Sequence, residues 1–541
     1  MPRSLAVPLL VLALVACRGR ESPRAAAGAP SGTLVIAMPG DADVLLPPVA
    51  TTQFAIHVAD RLFPRLAELT LGLNTVDDSG FAPSLARSWT HRDSVTIAFQ
   101  LDPRARWQDG TPVTAADVVY TFDVYRDSLT GSTVRINLTP IVSVTAEDSL
   151  TAVFRFARSY PEQLYDATYH MRIVPKHLLD TIPHERLASS SFATDPAVAM
   201  GPFRFVRWDK GTEITVEADT ASFLGPPGLA RIVWRIMPDV SASVTALLAG
   251  EADAVEVIPQ RDEIERARRS PTLVLTPYAS PFVAGIAFNM RRPLFQDRAL
   301  RRAIAQAIDR EAVVQSVFGP YAEVPVGPIS RMVWIAQAPV RQLAFDTAAA
   351  GRALDSLGWR RGPGGVRQRG GRRLGFALLV PTTSRSRQEA AVLLQGQLAR
   401  AGIELRIEPV EFARLDSRSR AGDFDAVFFS RTLDPSPANL SQFWHSNAIA
   451  TGDNLGAYRS ATFDSLFASA VAARGRGDAL PRWQALLEWF NDDAPAIHIY
   501  SLRNNAAIHR RFQNVTVRPD SWLATVASWS VAPDQRLPRD R

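Results

Sequence analysis

The chain has 541 residues, 46% of them hydrophobic, and carries 60 basic against 54 acidic residues for a net charge of +6. That length calls for two or three domains rather than one, and the apolar fraction supplies ordinary globular cores. The positive excess does not make a nucleic-acid surface, because basic residues are interleaved with acids and almost all are arginine, Lys176 and Lys210 being the only lysines.

The chain opens Met-Pro-Arg, and Leu5 to Ala16 is almost wholly apolar, about the length of a signal-peptide core and too short to span a bilayer. Leu14-Val15-Ala16-Cys17 then has the form of a bacterial lipobox, in which the Cys17 thiol is diacylated and becomes the new N-terminus. Cys17 is the only cysteine, so its acylation leaves no thiol for a disulfide. Residues 1–17 are expected to be a lipoprotein signal. Residues 18–32, rich in Arg, Ala, Gly, Pro and Ser without periodicity, are expected to be a flexible tether. The body would then sit outside the cytoplasm, lipid-anchored to a bacterial membrane.

Further along, Leu34 to Met38 is a short apolar run between Gly32 and Pro39-Gly40, a buried strand. Phe54, Val58 and Leu62 recur at helical spacing over 53–63, and Pro64 ends the pattern. Val95 to Leu101 alternates as a strand. Asp109-Gly110 is a turn pair. Thr114 opens a helix whose Asp117 can complete a capping box, with Val118, Val119, Phe122 and Tyr125 as its apolar face. Gly250 suits a left-handed helix end. Phe282 to Phe288 and Ile497 to Tyr500 are strands. The densest basic cluster, Arg360-Arg361 through Arg367, Arg369, Arg372 and Arg373, lies in a glycine-rich segment without aromatics for base stacking and reads as a solvated hairpin loop.

Motifs for chemistry are missing. No G-x-x-x-x-G-K-S/T phosphate loop, no G-x-S-x-G elbow and no H-E-x-x-H occur, and the eight histidines are scattered. Asn137-Leu138-Thr139 has the form of a glycosylation sequon, which carries little meaning behind a bacterial lipobox. The residues imply no cofactor, no metal and no catalytic group.

A collinear series of segments carries a resemblance. Arg106-Trp107-Gln108-Asp109-Gly110-Thr111-Pro112-Val113-Thr114-Ala115-Ala116-Asp117-Val118 resembles the signature of bacterial extracellular solute-binding proteins of family 5, which includes oligopeptide, dipeptide and nickel carriers. Pro83 to Trp89, Ile173-Val174-Pro175-Lys176-His177, Gly201-Pro202-Phe203, Leu247 to Asp253, Phe288-Asn289 with Pro293 to Ile304, and Phe345 to Trp359 match the same family in the same order. The resemblance implies an α/β, two-lobed periplasmic-binding-protein fold of the large type (class II, cluster C) with a two-strand hinge and an additional inserted domain. Lobe I would be discontinuous, residues 33–66, 198–286 and 500–541. The inserted domain would be 67–197 and lobe II 287–499. The implied function is that of a substrate-binding lipoprotein of an ABC importer, a monomer that captures a peptide or other small organic solute in a closing cleft and delivers it to a permease. A peptide sensor or chaperone without transport, and a secreted hydrolase, are the alternatives.

The same resemblance points to site residues. Asp423 to Pro435 is similar to the family segment ending D-Y-x-D-P, whose first Asp pairs with a peptide's α-amino group. Here Asp434-Pro435 fits the later D-P, which puts Arg431 at the anchoring position. An arginine there repels an ammonium group and suits a carboxylate or another acceptor. Alternatively it is an ion-pair partner of Asp434 or Asp425. Phe428 either lines the pocket or belongs to the core, and Trp444 follows Phe443 in the segment that resembles the cleft lining. Asp41 and Asp43 contact ligand from lobe I or form a solvated turn. Tyr278 to Phe282 precedes the hinge and is expected at the cleft floor.

Overall fold

A computed structural model describes residues 29–540, so Cys17 and most of the expected tether lie outside the described residues. Thr33–Met38 is buried along its whole length. Leu34, Ile36 and Met38 enter one hydrophobic cluster while Val35 and Ala37 enter another on the opposite face, so the strand is covered on both sides and reads as an unbroken apolar run. It pairs in parallel with Arg231–Ile236, which continues antiparallel through Glu213–Ala218 to Phe203–Asp209. The helix Gln53–Leu62 lies where its spacing places it, with the Thr52 hydroxyl capping Ala55 N. Gly201 sits against the end of that helix: its N–H donates to Leu62 O, and a Cβ would fall 2.2 Å from Arg61 O, so only glycine fits this approach.

The second lobe is also α/β. Phe282–Phe288, Ala426–Thr432, Gly375–Pro381 and Glu404–Val410 lie side by side, the last three parallel. Helices cover both faces, among them Arg385–Ala401 and Gly475–Asp493.

Two strands join the lobes. Ala496–His509 pairs with Phe282–Phe288 through its first half and with Leu273–Ala279 through its second. The chain therefore crosses twice, at Ser280-Pro281 and at Ser501-Leu502. Leu433 N donates to Pro281 O at 3.0 Å and Ser501 Oγ to Phe282 O at 2.9 Å, tying the crossing to the second lobe. The register slips between Ala284 and Gly285, where a Cβ on Gly285 would lie 2.3 Å from Ile497 O. Glycine is required at that slip because backbone fills the space.

A further layer, residues 86–156, is a four-stranded antiparallel sheet in the order Ala86–Asp93, Thr96–Leu101, Thr151–Phe156, Ile141–Ala146, backed by helix Ala115–Arg126. The Asp117 carboxylate accepts from Thr114 N at 2.8 Å and from Lys176 N at 3.0 Å, so one side chain caps the helix and fastens the Pro175-Lys176-His177 segment. Ile97, Phe99 and Phe154 belong to the same cluster as Leu34 and Trp522, so this layer shares the first lobe's core.

The arginine-rich segment is a solvated hairpin at five of its six arginines, Arg367 being the exception. It forms three short strands, and Arg367, only 4% exposed, donates to Ala401 O, Trp359 O and the Asp355 carboxylate. Its planar fork ties the ends of two helices and the loop at Trp359 together, which a lysine could not do.

The C-terminus returns to the first strand. Arg511, 3% exposed, donates to both oxygens of Asp253 at 3.0 and 3.1 Å, to Asp540 at 2.6 Å and to Thr33 O at 2.6 Å. Asp253 also accepts from Val35 N, and Asp540 from Thr33 N. Removing one member of such a buried network leaves charge uncompensated, a loss of about 3–5 kcal/mol. Arg511→Ala is expected to lower the unfolding free energy from urea titration by that amount, through the midpoint and without changing the slope of the transition; a loss of under ~1 kcal/mol would mean that the network is solvated.

Candidate ligand-binding cleft

A cavity of about 740 Å³ lies between the lobes, beside the crossing strands. Its walls come from three parts of the chain: His57, Glu256, Tyr278 and Trp522 of the first lobe, Ile136 and Tyr169 of the 134–172 segment, and Arg431 and Phe443 of the second lobe.

Arg431 ends the Ala426–Thr432 strand, half-buried. Its guanidinium lies 5.2 Å from the Phe443 ring centre and 5.8 Å from that of Phe429, held by their π faces. Its one hydrogen bond, to Asp453 O, is long at 3.5 Å. Burial pulls its pKa below the usual arginine value, and the nearby Asp453 only partly compensates. Neither aspartate of the ion-pair alternative engages it: Asp425 binds Arg292 at 3.2 Å, and no donor among the described residues reaches the Asp434 carboxylate. Most of the guanidinium's five N–H groups are therefore free to meet an acceptor in the cleft.

Tyr278 and Phe282 also line the cavity, on either side of the crossing. Tyr278 is 8% exposed, with its hydroxyl donating to Glu256 O at 3.4 Å, while Phe282 is 42% exposed. Four expected residues stand elsewhere. Phe428 is fully buried in a second-lobe cluster, because successive residues of a strand point to opposite faces and its face is the one under helices. Trp444 packs edge-on against Phe429, Phe490 and His498 inside the other second-lobe cluster. Asp41 accepts from Trp208 Nε1 at 3.0 Å and Gly211 N at 2.7 Å. Asp43 accepts from the Thr51 and Thr52 hydroxyls and from Thr51 N. Both carboxylates are spent on local loops and lie outside the cavity lining.

Several groups at the cleft have no sequence signal. Asp60 lies under the wall, bound to Arg172 at 2.7 Å and Arg65 at 3.3 Å. Burial opposes its ionisation, but the guanidiniums of Arg172, Arg65 and Arg61 outweigh that and hold the carboxyl far below its usual range. Glu162, buried, accepts from Thr75 Oγ1 and, across the lobes, from Ser436 Oγ at 2.7 Å. Burial pushes Glu162 up to about 7 and Asp434 up to about 6. Their spacing in the chain, 162 against 434, is the reason that no motif links them.

Known proteins share this architecture. The family model for the middle region of bacterial extracellular solute-binding proteins, family 5, matches residues 80–451. The oligopeptide-binding protein AppA of Bacillus subtilis is 26% identical over 543 residues, covering 97% of both chains. The structure of B. subtilis AppA in complex with a nonapeptide superposes with a TM-score of 0.75 at 24% identity over 93% of this chain and 100% of that one. NikZ from Campylobacter jejuni in complex with Ni(L-His) superposes equally well, at 0.75, with 21% identity and the same coverage.

Glu162 titration has a defined sign. In the fold it keeps its proton up to about 7, against an ordinary value of 4.5, so the unfolded chain binds fewer protons between those limits and the residue weighs against the fold as pH rises through them. Relative to the parent, Glu162→Gln is expected to gain stability from pH 4.5 to pH 8, read as the difference in urea midpoints. A constant difference would mean that Glu162 ionises normally.

Proposed function

The chain belongs to the bacterial extracellular solute-binding proteins, family 5, and we propose that it is the capture subunit of an ABC importer, taking a peptide or peptide-like solute that presents an acceptor group to Arg431. The observation that carries the ligand reading is the Arg431 guanidinium, wedged between two aromatic rings and facing an interlobe cavity with one long hydrogen bond. A carboxylate there completes two charge-assisted bonds in fork geometry.

Capture works by closure. A ligand that touches both walls binds the closed form better than the open one, and the two crossings absorb the backbone rotation. We take the moving bodies to be residues 33–66, 198–286 and 500–541 with the insert 67–197 on one side, and 287–499 on the other. The crossings near 280 and 501 support that division. Micromolar capture needs about 8 kcal/mol net, within reach of a buried apolar body and two or three charge-assisted bonds. The lipid on Cys17 would keep the protein at the membrane near its permease. No bond in the ligand is made or broken, so bound solute is recovered unchanged.

Native mass spectrometry of the protein purified without denaturation reads the ligand class directly. A ladder of co-purified peptide masses supports the proposal, whereas a single non-peptide species replaces the ligand class. Arg431→Asp is expected to weaken binding of a peptide with a free C-terminal carboxylate by about 30-fold or more, the worth of a charged hydrogen bond plus the new repulsion. Equal affinities in titration calorimetry would remove Arg431 from the site.

A further inference from the structure

Beside the main cleft lies a second chamber of about 770 Å³, between the 136–170 segment and the 434–471 segment of the second lobe. The two spaces share Ile136, Asn137, His170, Asp434, Asn439, Gln442 and Asp453, so the chamber opens off the cleft past Asp434 and Asn439.

Several of its polar groups are buried without a partner. Tyr165 is 1% exposed, lines the chamber, and its hydroxyl has no hydrogen-bond partner among the described residues. Asn439 Oδ1 is likewise buried and unpaired. The Asp434 carboxylate receives no donor, and Glu162 and Asp166 stand on the same wall. These last two have partners, Ser436 Oγ at 2.7 Å and Tyr160 Oη at 2.6 Å respectively. The basic groups lining the chamber have other partners: Arg420 pairs with Asp416 and Asp453, His445 with Asp464, and Arg158 stacks over the Tyr160 ring at 5.1 Å, where its charge acts on Asp166. Burial drives His170 down to about 3, so it brings no charge at neutral pH. No basic side chain among the described residues donates to Asp434 or to Asn439 Oδ1, and a buried acceptor left unmade is costly. Phe467, Val471 and Ala448 give the same chamber an apolar side.

We infer that this chamber is a subsite for a basic side chain of the ligand, a guanidinium or ammonium group whose N–H donors meet Asp434, Asn439 Oδ1 and Tyr165 Oη while its methylene stem lies on the apolar side. The inference rests on the peptide reading above and narrows it: the preferred ligand is dipolar, with its acceptor end on Arg431 and a cationic side chain in the chamber. Upward-shifted Glu162, Asp166 and Asp434 fit this, since a cation supplies the charge that stabilises their ionised forms.

The probes are N-acetylated alanine pentapeptides with a free C-terminal carboxylate and one arginine walked through the five positions, each paired with its citrulline counterpart, which keeps the shape and loses the charge. Titration calorimetry on the full-length protein is expected to give, at the best position, about tenfold or tighter binding for arginine over citrulline. Asp434→Asn should erase that preference. Tyr165→Phe should reduce it several-fold without lowering the melting temperature of the free protein, because the lost hydroxyl has no partner there. Equal binding of arginine and citrulline peptides would overturn the subsite and leave the peptide reading standing. Binding of neither set would overturn both.

Discussion

The continuous strand Ala496–His509 is the constraint on which the rest of the molecule depends. Each half is hydrogen-bonded into a different lobe, through Phe282–Phe288 on one side and Leu273–Ala279 on the other. Backbone pairing makes each half part of a rigid sheet, so rotation is left to a few residues between the ladders, near Ser280-Pro281 and Ser501-Leu502. Gly285 shows how tight this region is: the register slip beside it leaves no room for a Cβ. Tyr278 and Phe282 bracket one crossing, so the cleft floor moves least while its walls swing.

Charge in this protein is sorted by location. Away from the cleft, buried charges are paired, as in Arg511 with Asp253 and Asp540 and Arg367 with Asp355 and two carbonyls. Along the cleft and its side chamber some groups are paired, as Asp60 is with its arginines, and others are not. Arg431 has one long bond, and Tyr165, Asn439 and Asp434 leave acceptors unmade. Unpaired polar groups in a dry site work against the folded state, and those that line the cleft and its chamber are ones that a partner from outside would relieve. The two signs are also separated, a donor surplus at Arg431 and an acceptor surplus in the chamber.

Relatives at about one quarter identity keep the path of the chain across nearly its whole length. In this chain the path is held at a few defined points. Asp117 joins a helix cap to the Pro175-Lys176-His177 segment, Gly201 allows the approach to the first helix, and Asp253 ties the Leu247–Asp253 segment to the first strand and the C-terminus. Such positions hold the frame in place.

Local physics made much of the frame legible in the sequence. The strand at 33–38, the helix at 53–62 with its Pro64 stop, the Thr114–Asp117 cap and the left-handed Gly250 all follow from short-range rules. Arg431 and Tyr278 reached the cavity from a segment resemblance. The same segments misled where only three dimensions decide which face is inward: Phe428 and Phe429 alternate into two different cores, and Asp41 and Asp43 turn back to their own neighbourhood. Arg367 looked like solvated charge until a helix end closed over it. Glu162, Tyr165 and Asp434 come together from segments some 270 residues apart, a contact set by how the lobes face each other and carried by no periodicity. The sequence by itself determined the elements and their order, because caps, turns and apolar spacing act over a few residues. Tertiary structure alone decided which polar groups lost their water without gaining a partner, because that depends on distant walls meeting.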